Sequence, residues 1–246
     1  MESNKPNEAT ELPQLNQRRP GPILVCFAVK LEAKPFLRHA ARHSHVRVLI
    51  TGIGPRNAQS SLRNLLSRER PTLVISAGFA GGLHPDLGSG TVLFAATPES
   101  GLEDLLVNAG ARPATFHCAD RIATTAQEKR ALRKSFKTDA VEMESAIITE
   151  ICCSEQIPTA AIRVILDTAD EDLPLDFNHC MTRHYRMNYP HLVLTLIRKP
   201  SKIGSLLRLQ TRGAAAAEKL AQVLSKVLLR IQRRNQNPID DHSGSP

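Results

Sequence analysis

"PTLVISAGFAGGL", residues 71–83, decides the fold. Its first seven residues form a short, nearly unbroken apolar run closed by a glycine cluster. A half-exposed strand would alternate, so this run reads as a strand covered on both faces of a mixed or parallel sheet. The strand spans 71–77 and "GFAGGL" is the turn that ends it. Four other runs read the same way: "ILVCFAV" (23–29), "VRVLI" (46–50), "TVLFAA" (91–96) and "TAAIRVILD" (159–167). The stretches between them are helical: "KLEAKPFLRHAAR" as loop and helix, about 57–69, 127–136, and a helix from "DAVEMESAII" (139–148) to about 156. Alternation of strand and helix predicts an α/β sandwich with helices on both faces.

The chain has 246 residues, 41% of them apolar, enough for a sizeable core without staples. Residues 1–22, rich in Asn, Gln, Glu and Pro, read as a disordered leader. One domain is expected over 23–234, helical from about 201, with a disordered tail at 235–246. Its five cysteines show neither a CxxC pair nor zinc-ligand spacing, which suits reduced thiols in the cytoplasm. No apolar run reaches membrane-spanning length, and the N-terminus lacks the apolar core of a signal peptide. Neither a metal nor a cofactor is expected. The acidic run "DTADEDLPLD" (167–176) lacks the ligand order and central glycine of a calcium loop. The histidines of "HCMTRHYRMNYPH" (179–191) match no standard zinc spacing.

The net charge of +8 sits at one end. Residues 183–246 hold 12 Lys/Arg against 3 Asp/Glu, and residues 1–182 hold 20 against 21. Nucleic-acid binding is not expected, because no recognition motif or aromatic platform accompanies the charge. Leu220, Val223, Leu224, Val227, Leu228 and Ile231 recur at helical spacing among the cations. That stripe suits packing on the sandwich, and it also suits an amphipathic helix lying near anionic lipid.

In an open α/β sheet, functional groups collect at the carboxyl ends of strands. Glu32 follows the first strand, "TGIG" (51–54) the second, "GFAGGL" the third, and Asp167 ends "TAAIRVILD". "DAVEMESAII" adds Glu142 and Glu144. Acids in a first helical turn are ordinary, because they oppose the helix dipole. Buried acids without partners are unfavourable, however, and several around one pocket argue for chemistry. Glycines there expose amide donors and let a ligand approach the backbone. Such a set fits cleavage of a glycosidic bond: one acid protonates the leaving group and another carboxylate activates water. No Ser or Cys sits in an elbow motif, which ranks nucleophilic catalysis lower.

These residues resemble the nucleoside phosphorylase and nucleosidase superfamily that includes methylthioadenosine/S-adenosylhomocysteine nucleosidase. The matching blocks run in order: "AVKLEAKPF", "TGIGPRNA", "VISAGFAGGLHPDLGSGTV", "DAVEMESAII" and "IRVILDTAD". The resemblance implies a three-layer α/β/α sandwich around a mixed, partly barrel-like sheet, a homodimer or higher oligomer, and a small nucleoside substrate. It implies Asp167 as the acid that protonates the purine, Glu32 as the activator of water, and Glu144 as the holder of the ribose hydroxyls. Met143 would pack on the sugar, with Phe79, Ala80 and Gly81 lining the pocket; Glu142 would support Glu144 or cap the helix.

Two departures stand out. Phe79 replaces a serine usual in nucleosidases, which weakens a phosphate-dependent reading. The stretch "RIATTAQEKRAL" (121–132) is shorter than its equivalent and lacks the aromatic segment that reads adenine. "GFAGGL", that shortened stretch, the "LPLDF" insertion and "LIRKPSKIGSLLRLQTRGAAA" are also similar to the hopanoid-associated phosphorylase branch, which implies an adenosyl-lipid precursor as substrate. Hydrolysis is the first expectation. Phosphorolysis, with Arg56 near the anion, is the second. A non-catalytic nucleoside-binding or lipid-associated module is the rival from another class, because a fold does not fix a function.

Overall fold

The computed structural model describes residues 21–40, 45–182, 188–198 and 200–236. The expected tail from residue 237 and all but the end of the expected leader lie outside these residues, as does His184. The elements are β1 (Ile23–Phe27), α1 (Lys30–Ala40), β2 (Val46–Ile50), α2 (Pro55–Leu66), β3 (Leu73–Gly82), β4 (Val92–Ala96), α3 (Glu103–Ala109), β5 (Arg112–Pro113), β6 (Phe116–Cys118), α4 (Ala126–Phe136), β7 (Ala140–Glu142), α5 (Ser145–Ser154), β8 (Thr159–Asp167), α6 (Tyr189–Arg198) and α7 (Ile203–Gln236).

The strands form one mixed sheet in the order β2-β1-β3-β8-β4-β5. β1 runs parallel to β2 and β3, and β3 runs parallel to β8. β4 is antiparallel to β8 and parallel to β5. The sheet is open rather than closed into a barrel, with a β6–β7 branch on the far end of β3. Period-two burial sorts its residues. Ile23, Val25, Phe27, Ile75 and Ile162 face α1, α3 and α7. Leu24, Cys26 and Val74 face α2 and α5. The expected three-layer sandwich is present.

The amphipathic C-terminal stripe is core. Leu220, Leu224, Val227 and Leu228 of α7 are fully buried against the sandwich. At 1.5 Å per residue, this 34-residue helix is about 50 Å long.

One expectation fails in an informative way. "GFAGGL" is not a turn after β3, because the strand runs through it to Gly82. None of Gly78, Gly81 and Gly82 has positive φ, whereas Gly52 and Gly54 of the "TGIG" turn do. The β3 glycines therefore provide space rather than conformational freedom. β1 pairs with β3 only as far as Ser76, and β7 takes up that edge only at Gly81. Between them, one edge of β3 has no neighbouring strand among the described residues. A fork in the sheet results.

Candidate active site

Glu32, in the first turn of α1, fills that fork. Its Oε1 accepts from the amide of Phe79 at 2.9 Å and its Oε2 from Val29 at 3.1 Å. A carboxylate thus supplies the acceptors that a strand would have supplied. Gly78 makes room for it: a Cβ there would lie 2.9 Å from Oε1. Burial pushes the Glu32 carboxyl above its usual range, against the pull of the two amides and of Arg163.

Arg163 lies mid-strand in β8, where it is 1% exposed. Its Nη2 donates to Glu142 Oε2 at 2.5 Å and to Ser76 Oγ at 2.9 Å, and Nη1 donates to the Ser76 carbonyl at 2.7 Å. Nε also reaches Glu142 Oε2, at 3.2 Å. The carboxylate of Glu142 then accepts from the amides of Glu144 and Ser145 and from the Ser145 hydroxyl. Glu142 is not in the helix, as expected, but ends the short strand β7, from which it caps the start of α5. Arg163 and these donors hold its pKa below the usual carboxylate value, despite burial.

Glu144 occupies the N-cap position of α5, and its Oε1 accepts from Gly54 of the "TGIG" turn at 2.8 Å. Burial and the charge of Glu142 push its pKa up to about 7. This shift fixes a sign. The folded chain binds that proton more tightly than the unfolded chain, whose value is 4.5. The resulting stabilisation is complete below the lower value and is lost as pH rises through about 7. Glu144→Gln keeps an acceptor for Gly54 and removes the titration. Its melting temperature, relative to the parent, should therefore rise between about pH 5 and about pH 8. Melts that stay parallel across that window would contradict the assignment.

Asp167 ends β8 opposite Gly81. The register slips between Ala80 and Gly81, giving β8 one extra residue. Asp167 consequently shares the face of Gly81 and Val141, and not that of Arg163. A Cβ on Gly81 would lie 3.2 Å from Val141 Cγ1 and 3.4 Å from Asp167 Oδ2. Lys129 of α4, which is fully buried, pairs with that oxygen. Burial raises the Asp167 pKa, and Lys129 opposes the rise.

Glu32, Glu142 and Glu144 thus form one network around Arg163, and Asp167 belongs to a second one with Lys129. β3 carries both. Ala80 is buried beside Ala140 and Ile165, and Met143 is buried next to Glu144. Gly81 is half-buried, as is Phe79, whose ring lies about 4.0 Å from the place of a Cβ on Gly213 of α7. The acidic loop after Asp167 is engaged with protein groups: Asp170 pairs with Arg130 and Glu171 with Arg212, while Asp172 accepts from the amide of Ala126. Arg163 and Lys129 were missed from sequence, although a lone cation inside the apolar run "TAAIRVILD" must be paired if both sheet faces are covered. All five cysteines are free.

A family model described as "Phosphorylase superfamily" matches residues 101–198, a stretch holding β7, α5 and β8. Among curated relatives, the 5′-methylthioadenosine/S-adenosylhomocysteine nucleosidase of Glaesserella parasuis is 28% identical over 171 residues, covering 55% of this chain and 74% of that protein. The Marinomonas sp. protein of the same name is 29% identical over 168 residues, covering 54% and 72%. Among solved structures, futalosine hydrolase of Helicobacter pylori superposes with a TM-score of 0.65 at 17% identity, covering 85% of this chain and 98% of that one. The 5′-methylthioadenosine/S-adenosylhomocysteine nucleosidase of the same organism, bound to butyl-thio-DADMe-Immucillin-A, gives 0.64 at 17%, covering 87% and 100%. An α/β sandwich with an acidic site at strand ends is the class that these findings define. The chain is similar in sequence, over part of its length, to the phosphorylase superfamily and its nucleosidases, and it shares their fold.

Proposed function

We propose that the protein cleaves the N-glycosidic bond of a purine nucleoside or adenosyl thioether, with water as the acceptor. One observation carries the reading: two carboxylates face β3 three residues apart, Glu32 against Gly78 and Asp167 against Gly81. Gly78 and Gly81 fall on opposite faces of the strand, so an acid and a base approach its carboxyl end from two sides. Asp167 protonates the purine ring and Glu32 activates the water. Glu144 holds the ribose hydroxyls through the oxygen that Gly54 leaves open, and Met143 packs on the sugar. Glu142 keeps Glu144 in place. The names of the curated relatives agree with this chemistry. Phosphorolysis is less favoured, because the Phe79 ring offers no hydroxyl to an anion and Arg56 is exposed on α2.

The test is incubation with methylthioadenosine, S-adenosylhomocysteine, adenosine and inosine, each with and without phosphate, followed by mass spectrometry of the sugar. Free sugar without phosphate supports the reading. A sugar 1-phosphate formed only with phosphate replaces it with phosphorolysis. A thermal shift with adenine but no turnover favours a binding module.

A lipid-side substrate is favoured by a separate patch. Leu194, Ile197, Ile203 and Leu207, on α6 and the start of α7, are exposed beside Arg198, Lys202 and Arg208. No helix among the described residues is long and apolar enough to cross a membrane. A patch of this kind binds at the surface of an anionic bilayer. Ile197→Glu/Leu207→Glu should abolish flotation with anionic vesicles and leave the melting temperature unchanged; equal flotation would reject the contact. Truncation at residue 198 is unsuitable as a test, because it removes the buried half of α7. A homodimer, read from the resemblance, is checked by sedimentation.

A further inference from the structure

The Lys129 ammonium has three donors and three acceptors around it: Asp167 Oδ2, the Thr168 carbonyl at 2.8 Å and the Glu171 carbonyl at 2.8 Å. Both carbonyls belong to the turn that follows Asp167. Lys129 therefore grips the acid and its backbone together, from a helix on another element. Packing alone does not require a cation there, since a buried ion pair is often replaced by apolar groups without loss of stability. With Oδ2 committed to the ammonium, Oδ1 is the oxygen left to meet a ligand.

We propose that Lys129 is a positioning residue for Asp167, aiming Oδ1 at the leaving base and stabilising the negative charge that develops as the acid gives up its proton. The inference rests on the reading of Asp167 as general acid. In the step, the Asp167 Oδ1–H bond breaks and a ring N–H bond forms, while the electron pair of the C–N glycosidic bond moves onto the base. The carboxylate left behind faces the Lys129 ammonium. Lys129 keeps its own protons, and Asp167 is reprotonated after the base departs. Without the ammonium, the acid is weaker and slower to donate.

The other charged groups facing Asp167 are Glu171, from the loop after β8, and Arg212, from α7. They are joined by bonds of 2.9 and 2.8 Å and largely offset one another. Lys129 is thus the dominant charge opposing the effect of burial. The sign follows. Burial holds the proton on Asp167 and Lys129 loosens it, so removing the charge moves Asp167's titration to higher pH.

The test has two readouts. In Lys129→Gln and Lys129→Met, the basic limb of the kcat/KM profile should move alkaline by about one pH unit or more, with kcat at least about tenfold lower; Lys129→Arg should keep the parent's limb. Independently of turnover, the carboxyl infrared band of the free protein, assigned by its loss in Asp167→Asn, should titrate at higher pH in Lys129→Gln. A band midpoint equal to the parent's would overturn the proposal, as would a uniform loss of activity with an unmoved limb. A shifted midpoint in a protein without turnover on any nucleoside would uphold the pairing and reject the glycosidase reading instead. Glutamine retains donors for the two carbonyls, so the experiment survives if Lys129→Met does not fold.

Discussion

Asp167→Asn should lower kcat/KM for nucleoside cleavage by about 10²- to 10⁴-fold, the usual contribution of a positioned general acid. That range equals roughly 3–5 kcal/mol of transition-state stabilisation. The substitution is nearly isosteric, and Asp167 already lies in van der Waals range of Gly81, so a larger side chain would confuse the result. The amide oxygen still accepts from Lys129, and the carbonyls of Thr168 and Glu171 still hold that lysine. KM should change little, because the missing interaction is the transferred proton. Steady-state kinetics at about pH 6 to 8 check this. Substantial residual kcat would remove Asp167 from the acid role.

Arg163→Met should be the most destabilising single change in the site. It leaves Glu142 with a buried charge and no cation, and breaking one side of a buried pair costs about 3–5 kcal/mol. For a chain of this size, each kcal/mol corresponds to about 2–4 °C, so the melting temperature should fall by about 6–20 °C. Arg163→Met/Glu142→Gln should recover much of the loss, because the double change removes the stranded charge along with its partner. The double variant should stay poorly active even so. Arg163 also lowers the pKa values of Glu32 and Glu144. Without it, less of Glu32 is ionised at neutral pH, and a water activator must be ionised.

The fold was legible where burial is continuous. β2 matches the expected strand, as does β8, because runs such as "VRVLI" and "TAAIRVILD" allow little but a covered strand. β5, β6 and β7 were not, because strands of two or three residues have no period to detect. "AVE" consequently merged with the helix after it, and α3 was missed between two turns. "GFAGGL" was misread because glycine clusters commonly break strands, and its real reason, two carboxylates pressed against β3, is tertiary. The acids were visible because each stands at a strand end. The cations that control them were not. Lys129 lies between Ala126 and Leu132 at helical spacing, on the inner face of α4, but the neighbouring Arg130 and Arg133 make the whole segment read as surface.

The fork in β3 also bears on how this protein would drift if its chemistry ceased to be selected. Glu32 is a structural plug whatever its part in the proposed reaction, since the amides of Val29 and Phe79 depend on it. A descendant that only bound its ligand would still be held to a glutamate there, so finding Glu32 in a distant relative is weak testimony to turnover. Glu144 satisfies only the amide of Gly54, and its burial beside Glu142 raises its pKa to about 7. A relative that had abandoned catalysis would relax first at Glu144, and that position is the one to inspect when active and silent lineages are sorted.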